Sequence, residues 1–178
     1  MSNKTTTYYI IGGAIVLYYL ANYTTMGQSV QNSLFSFLRY LEEGNIPALT
    51  AYQDSGGVWT IGYGSIYNFD ENRPVRQFDT IDENTAEKWL EREANEKLKY
   101  VQSLIDVSIT NNQLIALGSF AYNVGDAAFK DSTLLQLLNN GTDINTVADQ
   151  FDRWIYDNGK IVNGLINRRK AEKNLFLS

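Results

Sequence analysis

The chain has 178 residues, 44% hydrophobic and 20% charged, with a net charge of -5, the balance of a globular domain of ordinary size. It contains neither Cys nor His, which excludes a disulfide framework, a thiolate nucleophile, Ser-His-Asp or Cys-His machinery and a His-ligated zinc. Acid–base chemistry is left to carboxylates helped by Lys, Arg, Tyr or hydroxyls, and the acidic balance argues against a nucleic-acid partner.

The charge is unevenly placed. Lys4 is the only charged residue before Arg39, so the rest of the chain carries all 20 acids and all other bases. Within the uncharged stretch, Tyr8 to Tyr23 reads YYIIGGAIVLYYLANY. At about 1.5 Å per residue this run spans roughly 24 Å as a helix, and the flanking threonines extend it toward the ~30 Å of a hydrocarbon core. Tyr8 and Tyr9 at one end and Tyr18, Tyr19 and Tyr23 at the other resemble two interfacial aromatic belts. The expectation is an N-terminal membrane anchor over 1–24, meeting the bilayer through residues 8–23, with Lys4 kept on the cytoplasmic side. A buried globular segment and a cleaved signal peptide are the alternatives.

After a polar linker, Val30, Leu34, Phe37, Leu38 and Leu41 recur at helical spacing and predict an amphipathic helix over 29–42, stopped at Gly44. Leu49 to Gly64 holds two β-rich runs around Asp54-Ser55-Gly56-Gly57, a hairpin signal. Val75–Phe78 suggests a third short strand. Thr80-Ile81-Asp82-Glu83 has the form of a capping box and predicts a helix to about Ile105. Thr110-Asn111-Asn112-Gln113 predicts a second capped helix, ending near Gly125. Ser132 caps Thr133–Asn140, Asp143–Tyr156 reads as one helix, Asp157-Asn158-Gly159-Lys160 as a turn, and Gly164–Leu177 as the last helix. A short sheet followed by a helical lobe makes an α+β domain over 25–178.

Glu43, Asp54 and Thr60 form the constellation that could carry chemistry. A carboxyl at the C-terminal end of a helix meets the negative end of the macrodipole, which favours its protonated form. Asp54, in a turn, sits in a wetter setting that keeps it ionised. Thr60 on the second strand offers a hydroxyl to orient a water. Two carboxylates in opposed environments are the pattern of glycoside hydrolysis, although solvated surface carboxylates give the same spacing.

The segments Glu43-Gly44, Ala51-Tyr52-Gln53-Asp54 and Gly57-Val58-Trp59-Thr60-Ile61-Gly62-Tyr63-Gly64 resemble the active-site region of phage-type lysozymes, the endolysins of glycoside hydrolase family 24. Ala116 to Leu138, Phe151-Asp152-Arg153-Trp154 and Gly164-Leu165-Ile166-Asn167-Arg168-Arg169 are similar to later family segments, so the resemblance covers about 40–178. It implies a two-lobed lysozyme-like fold, with a small antiparallel sheet and a helical lobe. The implied activity is hydrolysis of the β-1,4 bond between N-acetylmuramic acid and N-acetylglucosamine in peptidoglycan glycan strands. Glu43 would be the general acid, and Asp54 with Thr60 would hold and activate water for inversion, with carboxyls roughly 6.5–9.5 Å apart. Arg168 matches an arginine that pairs with the catalytic glutamate, with Arg169 as the neighbour that could exchange roles. Tyr63, Gly64, Tyr122 and Asn123 would line the sugar cleft, and for Tyr122 a core position is an equal alternative. No cofactor or metal is implied, and a monomer is expected.

Three features depart from the family pattern. Ten residues separate Glu43 from Asp54 instead of the usual eight, so two must loop out near Ile46-Pro47-Ala48 or Glu42 takes the place of Glu43. Ser65 stands where a structural histidine is common. The anchor resembles the signal-arrest-release segment of some phage enzymes, which would put the catalytic domain on the periplasmic side of a Gram-negative host, or in the internal membrane of a virion. A lytic transglycosylase and a catalytically inactive, membrane-anchored peptidoglycan-binding protein are the competing readings.

Overall fold

A computed structural model describes residues 30–31, 33–39, 41, 46–54 and 56–178. The expected anchor at 8–23, Glu42, Glu43 and the Gly44 stop all lie outside these residues. Among the described residues, no helix is long and apolar enough to cross a membrane.

Two apolar clusters organise the chain. The smaller joins Ile61, Val75 and Trp89, with Ala51, Trp59, Phe69 and Ile81 packed around them. The larger holds Val30, Leu34 and Leu38 from the helical stretch within 30–41 (α1), together with the buried faces of the later helices. α2, Glu83–Ser103, serves both. Its Trp89 belongs to the small cluster, while Leu90, Ala94, Leu98 and Val101 belong to the large one. At about 1.5 Å per residue this single helix is roughly 31 Å long, enough to carry a sheet lobe at one end and a helical lobe along the rest.

The sheet lobe is made of short antiparallel pairs. β1 (Ala48–Gln53) pairs with β2 (Trp59–Gly62). β3 (Tyr67–Asn68) pairs with β4 (Arg73–Pro74). The expected strand at Val75–Phe78 is not formed. Arg73 instead clamps Asp79 through two hydrogen bonds of 2.7 and 2.8 Å, and Asp79 Oδ2 accepts from the Arg76 N–H, which turns 75–79 into a closed loop with Phe78 at φ 72°.

α2 begins later than its sequence suggests. The cap is Asp82, whose carboxylate accepts from Thr85 N at 2.7 Å, and not Thr80. Thr80 is taken up in a bridge to Thr50 of β1. The capping box at Thr110–Gln113 forms as expected and opens α3, Asn111–Val124. Leu114 through Ala121 are all buried, so α3 is the axis of the helical lobe. A Cβ on Gly118 would lie 3.0 Å from Leu34 Cδ2 and 3.1 Å from Leu98 Cδ2, so glycine lets α1 and α2 approach α3 closely here.

α4 (Asp126–Lys130), α5 (Thr133–Asn139) and α6 (Ile144–Ala148) follow. The helix expected over Asp143–Tyr156 is interrupted. It ends at Ala148, and Phe151–Arg153 forms a separate 3-10 turn. The Phe120 ring recruits both Phe151 at 5.2 Å and Trp154 at 5.3 Å, and the chain bends to deliver them. Asn158 (φ 48°) and Gly159 (φ 75°) then make the tight turn of a hairpin between β5 (Tyr156–Asp157) and β6 (Lys160–Ile161), the primed geometry that matches strand twist. α7, Asn163–Phe176, closes the lobe against α3.

Candidate active site

The β1–β2 hairpin holds Asp54 and Thr60 through one residue. Asp54 Oδ1 accepts from Val58 N at 2.8 Å and from Gly56 N at 2.9 Å. Thr60 Oγ1 donates to the Val58 carbonyl at 3.0 Å. The short polar side chain of Asp thus satisfies the turn's own N–H groups, the usual use of Asp before glycines. Asp54 is exposed, whereas Thr60 is buried.

β1 carries two more residues than β2 over the same paired stretch. Ala48 faces Gly62 and Tyr52 faces Thr60, so four chain steps on β1 match two on β2. The surplus sits between Ala48 and Tyr52. It is stitched outward, with Ala51 N donating to Asp79 O at 2.9 Å and Ile81 N to Leu49 O at 3.0 Å. The bulge leaves the Tyr52–Thr60 and Gln53–Trp59 pairing intact next to Asp54.

Tyr63, Gly64 and Tyr122 come together. Tyr122 Oη on α3 lies 3.2 Å from the Tyr63 carbonyl and 3.2 Å from Glu93 Oε2 on α2. Gly64, Glu93, Glu96, Lys97, Tyr122 and Asp126 line a cavity of about 300 Å³. Tyr122 is half-buried, packing on the helical core while its ring borders the cavity, so both alternatives for it hold in part. Asn123 is exposed and is not among the lining residues. Lys97 pairs with Asp126, and Tyr100 Oη donates to the Asp126 carbonyl at 3.1 Å, tying α2 to α4 at the cavity edge. Ser65 is buried and donates to the Tyr67 carbonyl at 2.9 Å, so the serine holds its own loop.

Arg168 is buried, with Nε 3.3 Å from Glu172 Oε1, and is not a solvated helix charge. Arg169 is committed elsewhere. Its Nε lies 2.7 Å from Glu172 Oε2, an ion pair without hydrogen-bond alignment, its Nη2 donates to Oε1 at 2.9 Å, and its guanidinium covers the Phe120 ring at 5.0 Å. Ser119 Oγ completes the group by donating to Glu172 Oε1 at 2.7 Å. Burial pushes the Glu172 carboxyl up, and the two arginines and the serine counter it.

Glu93, Ser119 and Glu172 are the residues that sequence reasoning missed. Their signal was weak but present. Glu93 lies four residues after the buried Trp89, and Glu172 four before the buried Phe176, so both fall on apolar helix faces.

Residues 43–172 match the family model described as phage lysozyme. The chain is 44% identical over 120 residues to an endolysin of Bacillus phage B103, covering 67% of this chain and 43% of that endolysin. It thus spans less than half the length of that relative. It is 40% identical over 141 residues to an endolysin of Salmonella phage P22, covering 77% of this chain and 90% of the relative. The fold is similar to the muramidase domain of SpmX from Asticaccaulis excentricus, with TM-score 0.68 and 29% identity over 82% of this chain and 95% of that one.

Proposed function

The chain belongs to the phage lysozyme family, and from that premise we propose that it is a muramidase cutting the β-1,4 bond between N-acetylmuramic acid and N-acetylglucosamine in peptidoglycan. The observation that carries this reading is the Asp54–Val58–Thr60 arrangement, which sets an exposed carboxylate and a hydroxyl at one end of a single hairpin. A carboxylate there takes a proton from water, and a fixed hydroxyl orients that water toward the anomeric carbon. Glu43 is the general acid that protonates the leaving oxygen. The product then carries inverted configuration. Arg168 serves that acid from α7, and Tyr63, Gly64, Tyr122 and Asn123 contact the glycan.

An activated water is what separates hydrolysis from transglycosylation, in which the sugar's own hydroxyl closes an anhydro ring. The Asp54–Thr60 pair would have no task in that reaction, which favours the hydrolase. The uncharged, tyrosine-flanked Tyr8–Tyr23 run supports a membrane-anchored enzyme whose catalytic domain lies on the outer face of the host membrane, acting in cell lysis or entry.

The test is Glu43→Gln and Asp54→Asn in the full chain, assayed by clearing of purified peptidoglycan. Both should lose at least about a hundredfold in rate, the contribution of a general acid or base. Full activity in Glu43→Gln with loss in Glu42→Gln would move the acid by one residue.

A further inference from the structure

Glu172 is the innermost member of a group of three charges on α7. Its side chain is 0% exposed, that of Arg169 1% and that of Arg168 10%, so Arg168 stands at the edge of the group. The helix itself brings the three together. Glu172 lies three residues after Arg169 and four after Arg168, one turn further along the same face. Arg169 Nε stands 2.7 Å from Glu172 Oε2 and its Nη2 donates to Oε1 at 2.9 Å, while Arg168 reaches Oε1 through Nε at 3.3 Å. Ser119 Oγ donates to the same oxygen at 2.7 Å and ties the group to α3, the helix that also carries Tyr122. Guanidinium groups can only donate, so Glu172 is held as a carboxylate.

Two guanidinium charges stand against this one carboxylate, and the shorter contacts go to Arg169. The charge of Arg168 is thus left for an anion beyond these three residues. The elements packed on α7 hold no acid for it among the described residues: α3 carries neither Asp nor Glu, and Asp152 of the 3-10 turn is bound by Lys173.

We propose that Glu172 is a positioning residue for the general acid: by pairing with Arg169 and holding Arg168 through Nε, it sets the place and the net charge of the arginine that serves Glu43. The proposal rests on the muramidase reading for the link from Arg168 to Glu43. The charge pattern on α7 does not.

The sign of each effect follows from the charge count. A nearby positive charge favours the ionised carboxyl. A general acid works only while protonated, so the alkaline limb of kcat/KM follows its titration. Glu172→Gln keeps an oxygen for Ser119 but removes the balancing negative charge, and the limb should move to lower pH. Arg169→Gln removes a positive charge and leaves Arg168 as the carboxylate's main partner, so the limb should move to higher pH. Ser119→Ala loosens the same carboxylate without changing any charge, and the limb should stay in place.

The experiment is the pH profile of kcat/KM on soluble peptidoglycan fragments, for the full chain and these variants, with circular dichroism of each. The two charge variants should shift in opposite directions by at least about half a pH unit. Arg169→Lys, which restores the charge, should return the limb to its place. A structural role alone would lower rate or stability without opposed shifts. Limbs that stay put, or that move the same way in both charge variants, would therefore overturn the proposal. If Glu172→Gln does not fold, an upward shift in Arg169→Gln that Arg169→Lys reverses supports it, and an unmoved limb overturns it. The Glu43 carboxyl is followed in parallel by carbon-13 NMR with labelled Glu side chains, identified by its loss in Glu43→Gln. Opposed shifts of that signal in a chain without activity would overturn the muramidase reading while supporting the role of Glu172. Full activity with an unshifted Glu43 signal would overturn that role and leave the muramidase reading standing.

Discussion

Asp54 and Thr60 are joined through the two polar groups of one residue: Val58 gives its N–H to Asp54 Oδ1 and takes the Thr60 hydroxyl on its carbonyl. This makes the pair rigid relative to each other without any direct contact. Asp54→Asn keeps an oxygen for Val58 N and Gly56 N, so the turn should survive. Activity should nevertheless fall about 10²- to 10⁴-fold, because an amide is no base. Thermal melting and turnover measured on the same sample check this. A large loss of melting temperature would mean that the aspartate is structural first.

The buried group on α7 should dominate stability. Glu172 is fully buried between Arg169, Arg168 and Ser119. Removing one partner of a buried ion pair leaves an uncompensated charge and costs about 3–5 kcal/mol. Glu172→Ala should lose that much in urea unfolding. Ser119→Ala should lose about 1.5–3 kcal/mol, the range for a hydrogen bond to a charged group.

The start of α2 gives a sharper test of where a cap lies. Asp82 accepts from Thr85 N, while Thr80 bridges to Thr50. Asp82→Ala should lower the melting temperature clearly more than Thr80→Ala. The reverse order would restore the cap read from the sequence.

Acid should loosen the sheet lobe first. The Arg73 guanidinium beside Asp79 holds its carboxyl well below the usual carboxylate range, helped by the Arg76 N–H. A depressed folded pKa adds stability that is present above the unfolded value of about 4 and fades as pH falls toward the folded one. Asp79→Asn should therefore cost stability at pH 7 and progressively less below pH 3. Unfolding of both proteins at several pH values measures the difference.

Local signals in the sequence located most elements. The Thr110–Gln113 box and the Asn158-Gly159 turn are satisfied within their own few residues, so their outcome needs no knowledge of the rest. The interruption after Ala148 was not legible, because Phe120, far away in sequence, draws Phe151 and Trp154 out of helical register. The loop after β4 was hidden for the same reason, since Arg73 reaches forward to Asp79. At the candidate site, the hairpin that carries Asp54 and Thr60 could be anticipated from residue order. Glu93 could not: whether a helical glutamate is solvated or buried depends on what packs over it, here the Tyr63–Ser65 loop and Tyr122.

The measurement that bears most directly on the account is product analysis of purified peptidoglycan digested by the full chain in water enriched in oxygen-18. Hydrolysis by a water held between Asp54 and Thr60 predicts muropeptides ending in reducing N-acetylmuramic acid that carries one labelled oxygen. Unlabelled 1,6-anhydro ends would contradict it.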